Sequence, residues 1–156
     1  MEFHFKNKDL KRNDRFILYG LVAAEQAIKD AGISIQHIHL HTIKPVNEEV
    51  LVDLIQKVKY GVITMENHLI NGGTGSIIAD VIAKYGLSKK LIKLGLKDTF
   101  AHGGSRSYLA KYYGLDAYSL IKAIEELMKI KTGIKEENLD TVRIEDIHSL
   151  SKAEAL

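Results

Sequence analysis

A cluster of glycines is the first feature of the sequence with chemical potential. Gly72, Gly73 and Gly75 follow an apolar run and precede an amphipathic helix pattern, in whose first turn Ser76 lies. Glycines permit positive φ and close backbone approach, and a helix N-terminus presents free N–H groups that attract anions. The spacing fits no nucleotide fingerprint, because Ile78 stands at the third glycine position of G-x-G-x-x-G and no G-K-[ST] ends the loop. The loop is therefore predicted to be a structural turn, with a phosphate or carboxylate site as the alternative.

Polar residues that flank this loop enlarge the candidate site. Glu66 and His68 end the preceding apolar run, and Asp98 follows the next one. Because the carboxyl ends of parallel strands meet at one edge of a sheet, these side chains are expected at the same edge. The candidate set for an anion or other ligand is Glu66, His68, Gly72, Gly73, Gly75, Ser76 and Asp98.

Glu66 and His68 also raise the possibility of acid–base chemistry. A carboxylate and an imidazole at a strand end could share a proton. Hydrogen bonding that fixes the loop is the favoured interpretation, because buried or half-buried polar groups usually have such partners. No catalytic residue is assigned.

Three histidines alternate in the stretch "HIHLH", at His37, His39 and His41. In an extended strand all three project from one face, and three imidazoles could bind zinc. A strand covered by helices would instead hold packed or hydrogen-bonded histidines. No metal is expected, and this histidine set is the minor alternative.

The serines and tyrosines of the sequence form no catalytic motif. No G-x-S-x-G motif surrounds Ser76, Ser105 or any other serine, so hydrolase chemistry has no support. Tyr108, Tyr112 and Tyr113 lie at helical spacing and are interpreted as core or interface aromatics.

The elements that position these residues alternate along the chain. The predicted strands are the apolar stretches "RFILYG", "ISIQHIHL", "GVITM" and "KLIKLGL". Amphipathic helix patterns separate them, with Asn47, Ser105 and Asp116 as candidate N-caps. This order indicates βαβ units, hence an α/β fold with a mostly parallel sheet and helices on both faces.

Composition bounds the classes of protein that remain. The chain has 156 residues, a formal net charge of +2 and no cysteine. Such balance does not indicate a nucleic-acid partner, and no apolar run reaches the roughly 18 residues of a membrane span. A cytoplasmic location is expected. We predict a charged lead-in at residues 1–14, one folded domain at 15–131 and a polar appendage at 132–156.

Three stretches together resemble a known family. They are "HTIKPVNEEVL", "VITMENHLINGGTGSIIADVIA" and "LGLKDTFAHGGSRSYLAKYYGL", beginning at residues 41, 62 and 94. Over about residues 16–127 the chain is similar to the C-terminal domain of transketolases and their thiamine-diphosphate relatives. The resemblance implies a three-layer α/β/α fold with a five-stranded, mostly parallel sheet whose first strand is antiparallel.

The resemblance also implies what this chain lacks. Transketolases transfer a two-carbon ketol unit between sugar phosphates, in the pentose phosphate pathway, using thiamine diphosphate and Mg²⁺. Those cofactors bind to the other domains, which carry a G-D-G motif that is absent here. The chain alone is therefore expected to bind no cofactor and to be inactive. In the family, the loop containing Glu66, His68 and the glycines shapes a strand-to-helix turn, and the domain contributes to subunit contacts.

Two function classes follow. The leading hypothesis is the C-terminal subunit or domain of a transketolase-type transferase, which acts in assembly with an N-terminal, cofactor-binding partner and in a homo-oligomer such as a dimer. The alternative is a stand-alone regulatory module that binds a phosphorylated sugar or another small anion near Gly73.

Overall fold

The computed structural model describes residues 24, 26–137 and 139. Its elements, in chain order, are helix α1 (Glu48–Lys57), strand β1 (Gly61–Leu69), helix α2 (Thr74–Lys84), strand β2 (Lys90–Leu96), helix α3 (Arg106–Tyr112) and helix α4 (Ala117–Met128). Residues 26–30 are also helical. The lead-in predicted for residues 1–14, the strand predicted at 15–20 and the part of the appendage beyond residue 139 lie outside the described residues. No helix in the described ranges is long and apolar enough to cross a membrane.

Local sequence starts three of the helices as predicted. The side chains of Asn47, Ser105 and Asp116 each accept a hydrogen bond from the backbone N–H three residues further on. Such caps satisfy one of the free N–H groups at a helix start and each stabilise it by about 1 kcal/mol. The starts of α1, α3 and α4 are therefore encoded within a few residues of each helix.

The two strands form a parallel sheet, which confirms the α/β class. Their register runs from Gly61 opposite Lys90 to Met65 opposite Leu94, and an irregularity follows before Leu69 meets Leu96. A side chain at residue 61 would bring its Cβ within 2.3 Å of the Lys90 carbonyl oxygen, so the sheet can begin only on a glycine there.

The resemblance predicts five strands, and the sheet in the described part of the chain has two. Residues 33–40, predicted to be a strand, keep part of the alternation, since half-buried Ile33, Ile35 and His37 are separated by exposed neighbours. Ile33 and Ile35 pack against a buried cluster of the core, but residues 33–40 form no strand ladder with β1 or β2. That prediction is corrected accordingly, and the five-stranded sheet stays a prediction.

Apolar clusters cover both faces of the sheet. On one face, Ile63, Met65 and Leu94 pack against a cluster of buried residues from the 24–30 segment, α4 and the C-terminal side: Ala24, Ile28, Leu120, Ile121, Ile124 and Leu139. On the other face, Val62 and Leu91 pack against buried residues of α1 and α2: Leu51, Ile55, Ile78 and Val81. Adjacent strand residues alternate between these clusters, as the two-residue period of a strand requires. The result is three layers, with helices on either side of the sheet.

A carboxylate ties α1 to α2. The Glu48 carboxylate accepts hydrogen bonds from the Lys84 ammonium at 2.6 Å and from the Tyr85 hydroxyl at 2.9 Å. These two donors, Lys84 first, hold the pKa of Glu48 below its usual value. The first residue of α1 is thereby fixed beside the last turn of α2.

A second carboxylate fixes the chain beyond α4. One oxygen of Glu125 accepts from the backbone N–H and the hydroxyl of Thr132, at 2.8 and 2.9 Å, and the other accepts from the Lys122 ammonium at 2.9 Å. The Lys122 ammonium and then the two Thr132 donors lower the pKa of Glu125 to about 2. Because this side chain is only 12% exposed, water screens these interactions weakly.

The depressed pKa of Glu125 predicts a pH dependence of stability. An unfolded glutamate titrates near its ordinary value of 4.5, so the stabilisation is complete above that pH and is lost as the pH falls from about 4.5 toward 2. We expect Glu125→Gln to lower the free energy of unfolding at pH 6 and to lower it much less at pH 3. Urea unfolding at both pH values measures this difference.

Glu126→Gln is the matched control, because Glu126 is the next residue along α4 and its ion pair with Lys90 is largely exposed. We expect it to have a small effect at either pH. A destabilisation by Glu125→Gln that is the same at pH 6 and pH 3 would contradict the assigned role of Glu125.

Candidate functional site

The carboxyl edge of the sheet gathers the two loops that carry the predicted site residues. β1 ends at Leu69 and β2 at Leu96, and the Ile70 N–H donates to the Leu96 carbonyl at 2.9 Å. The glycine loop therefore leaves the sheet beside the loop of residues 97–105. Parallel strands produce this arrangement, as the sequence pattern predicted.

Glu66 occupies the N-terminus of α2. One of its carboxylate oxygens accepts from the Thr74 N–H at 2.7 Å, and the other accepts from the Gly75 N–H at 2.9 Å. The N-cap residue, Gly73, has no side chain with which to cap the helix. A carboxylate at this position satisfies two free donors and opposes the positive end of the helix dipole. The anion at this helix end is supplied by the chain itself.

The glycines make room for that carboxylate. A Cβ on Gly73 would lie 2.1 Å from the bonded Glu66 oxygen, so any side chain there would displace the carboxylate. A Cβ on Gly75 would lie 2.8 Å from the Thr64 hydroxyl and 2.8 Å from Cδ of Lys93. Gly72 adopts a φ of +84°, a conformation that residues with a side chain rarely take.

Ser76 closes the loop from within the helix. Its hydroxyl accepts from the Gly72 N–H at 2.9 Å and donates to the Ile70 carbonyl at 3.2 Å. Its own N–H donates to the Gly73 carbonyl at 3.0 Å. The N–H groups of residues 74–76, which a phosphate would use, are therefore bonded within the protein. This geometry supports the structural-turn interpretation, while binding of a free anion stays a prediction that requires Glu66 to move.

His68 and Asp98 lie at the same edge but not on the glycine loop. Nδ1 of His68 is 3.0 Å from the Leu69 carbonyl oxygen, an acceptor, so this nitrogen carries a hydrogen and donates it. Both oxygens of Glu66 are bonded to backbone N–H groups, and its carboxylate is not paired with the imidazole. Asp98 is exposed in the loop after β2. The arrangement is that of hydrogen bonds that fix a loop, not of an acid–base pair.

The histidines before α1 form a pair. The rings of His39 and His41 have centroids 4.1 Å apart and a tilt of 52°, while His37 is half-buried and outside this contact. Their shared side of the segment agrees with the alternation in the sequence. Among the residues that the structure describes, no group of three or more histidine, cysteine, aspartate or glutamate residues could hold a metal ion.

Two residues near the loop were missed from sequence. Thr64 is 7% exposed, and its hydroxyl has no hydrogen-bond partner. Lys93 lies on β2 directly opposite Thr64, and its ammonium is 3.5 Å from the Ile70 carbonyl oxygen. Strand periodicity could have indicated Thr64, because it lies two residues before Glu66 and so faces the same side. Lys93 required knowledge of the register.

The Glu66 seat, meaning the contact of its carboxylate with the Thr74 and Gly75 N–H groups, predicts a loss of stability on mutation. Glu66→Gln removes the charge and presents an amide NH₂ to a backbone donor, so we expect the free energy of unfolding to fall by about 1–2 kcal/mol. Urea unfolding measures it. Glu49→Gln is the control, since Glu49 is an exposed carboxylate in the first turn of α1. Equal effects of the two substitutions would show that the contacts of Glu66 contribute nothing beyond a general helix-dipole effect.

Removal of the Glu66 carboxylate is expected to create a binding site for an anion from solution. In Glu66→Ala the Thr74 and Gly75 N–H groups lose their acceptors, and sulfate can replace the carboxylate. We expect sulfate to raise the melting temperature of Glu66→Ala more than that of the wild-type protein, whereas chloride at matched ionic strength raises neither selectively. An identical response of the two proteins to sulfate would contradict the role of the Glu66 carboxylate as the anion that occupies these N–H groups. A selective response of the wild-type protein would support the alternative anion-binding function.

Comparisons with known proteins show the family to which this chain belongs. Residues 17–120 match the family described as Transketolase, C-terminal domain. A protein of Methanocaldococcus jannaschii assigned as a transketolase C-terminal section is 45% identical over 106 residues, which are 68% of this chain and 32% of that protein. One subunit of the apulose-4-phosphate transketolase of Actinobacillus succinogenes is 36% identical over 105 residues, which are 67% of this chain and 33% of that subunit.

A longer relative contains the same region. The 1-deoxy-D-xylulose-5-phosphate synthase of Acinetobacter baumannii is 32% identical over 109 residues, which are 70% of this chain and 17% of that enzyme. The matched region thus spans about a third of the first two relatives and less than a fifth of the third. The family match covers more than half of the chain and includes β1, the glycine loop, α2, β2 and α3. The chain therefore belongs to the transketolase C-terminal domain family.

Proposed function

We propose that this chain acts in assembly, as the C-terminal domain or subunit of a transketolase-type enzyme, and does not catalyse a reaction by itself. The observation that carries this proposal is the state of the glycine loop. Its backbone donors and its serine hydroxyl are bonded within the chain, to Glu66, Gly72 and Ile70. The most obvious ligand site of the domain is thus used to hold its own fold.

The comparisons support the same role. Two of the relatives are a section and a subunit, and the region shared with this chain is about a third of each. We infer that thiamine diphosphate and Mg²⁺ bind to partner domains, and that the complete enzyme is a homo-oligomer of such assemblies in the cytoplasm.

The reaction proposed is a two-carbon ketol transfer between sugar phosphates. The relatives carry more than one name, including a transketolase for apulose 4-phosphate and a synthase of 1-deoxy-D-xylulose 5-phosphate. Both of these names contain a sugar phosphate, and both proteins share the region of this domain. We therefore assign the choice of donor and acceptor sugar to the partner domains that hold the cofactor. A place in the pentose phosphate pathway depends on that choice.

Reconstitution tests this function. The chain is purified alone and also co-expressed with the polypeptide of its own genome that carries the thiamine-diphosphate-binding domains. Ketol transfer is measured with both cofactors present. We expect activity from the combination, at least tenfold less from that polypeptide alone and none from the chain alone. Activity of the polypeptide that is unchanged by the chain, or turnover by the chain alone, would overturn the proposal.

A further inference from the structure

The loop after β2 and helix α3 display aromatic side chains to solvent. His102 contacts Tyr112 with ring centroids 4.7 Å apart and perpendicular planes, and it contacts Tyr108 and Tyr113 at 5.7 Å each. These four residues are called the aromatic cluster below. The sequence offered core or interface as interpretations of the tyrosines, and the exposure of Tyr108 (50%) and Tyr112 (62%) rules out the core for both. Phe100, two residues before His102, is fully exposed.

The aromatic cluster is held by hydrogen bonds and close packing. The Tyr113 hydroxyl accepts from the His102 backbone N–H at 3.1 Å and lies 3.0 Å from Nδ1 of the same residue. Either the hydroxyl or Nδ1 donates in this second contact, according to the tautomer of the imidazole. This contact fixes the orientation of the imidazole ring, and with it the direction in which Nε2 points. Rings fixed in this way lose little conformational entropy when a partner covers them.

Gly104 brings the loop onto α3. A Cβ at this position would lie 2.9 Å from Cδ1 of Tyr108 and 3.2 Å from Cδ2 of Leu109. Within α3 only Ala110 is buried, and Tyr108 and Tyr112, four residues apart, share the exposed side of the helix. The loop and the helix therefore form one continuous surface whose aromatic side faces away from the core.

Two other exposed tyrosines are engaged with charged neighbours of their own chain. The Tyr85 hydroxyl donates to Glu48 and the Lys84 ammonium lies over its ring, while the Lys59 ammonium lies 5.1 Å from the ring centroid of Tyr60. In the aromatic cluster the rings contact one another. Tyrosines are enriched among the residues that carry most of the binding energy at protein interfaces.

The length of the relatives indicates what covers this surface. The matched region is 32% of the Methanocaldococcus jannaschii section and 33% of the Actinobacillus succinogenes subunit, so about two-thirds of each is polypeptide additional to this domain. In the synthase the remainder is larger still.

We propose that the aromatic cluster, with Phe100, is the surface by which this domain binds the remaining part of the enzyme. Phe100 and Tyr112 enter an apolar depression of the partner, and Nε2 of His102 forms a hydrogen bond with a polar group at its centre. This inference rests on the proposed assembly function and goes beyond it by naming the docking residues. Tyr113 acts through His102 as a positioning residue.

Binding to the cofactor-domain polypeptide of the reconstitution experiment tests the surface. Calorimetric titration gives Kd for the wild-type chain, Phe100→Ser, Tyr112→Ser and Tyr60→Ser. We expect each of the first two substitutions to weaken binding by about tenfold or more. Tyr60→Ser, the matched control at 45% exposure, is expected to leave Kd unchanged. The melting temperature of each variant verifies that it is folded.

A photo-crosslinking amino acid gives a second measurement that needs no loss of affinity. Placed at position 100 it is expected to crosslink to the partner, and placed at position 60 it is not. Binding by the wild-type chain with equal Kd for all variants, or crosslinking from position 60 alone, would overturn the docking surface and leave the assembly function intact. No binding by the wild-type chain would overturn both.

Self-association is the remaining outcome. Sedimentation of the chain alone shows whether Phe100→Ser and Tyr112→Ser dissociate a dimer. If they do so without weakening partner binding, the surface joins two copies of this chain and the proposal fails.

Discussion

The carboxylate of Glu66 lies across the first two N–H groups of α2, and the geometry of the carboxyl edge depends on this contact. A helix of 11 residues begins here without a side chain at its N-cap. Since backbone donors left without partners cost about 1–3 kcal/mol each when buried, this helix start needs an acceptor from elsewhere in the chain. Glu66 supplies it from the neighbouring strand, so strand, loop and helix are positioned together.

Three glycines and a serine follow from that constraint. Gly73 leaves room for the carboxylate, Gly75 lets the first turn approach Thr64 and Lys93, and Gly72 makes the turn at positive φ. Ser76 then bonds the loop from inside the helix. A pattern that resembles a ligand-binding loop is thus explained by internal contacts. The other loop at this edge, which follows β2, carries exposed aromatic residues.

Features set by near neighbours in sequence could be predicted, and features set by distant contacts could not. The caps Asn47, Ser105 and Asp116 act over three residues, and each was identified. The sequence left open whether the glycine loop is a structural turn or an anion site, because the answer depends on where the Glu66 side chain lies. Glu66 is eight residues before Thr74, and an irregularity of β1 separates them that periodicity does not reveal. Spacing placed Tyr108 and Tyr112 on one side of a helix but could not say whether that side was buried. Residues 33–40 alternate like a strand, yet ladder hydrogen bonds depend on neighbours that the pattern does not specify.

The carboxylate that neutralises the start of α2 belongs to the chain itself, and this has a consequence for the binding of dissolved anions. An open helix end would let a dissolved anion stabilise the fold once its concentration exceeded its Kd. With Glu66 in place, such an anion would have to displace a carboxylate that the chain itself holds against the Thr74 and Gly75 N–H groups.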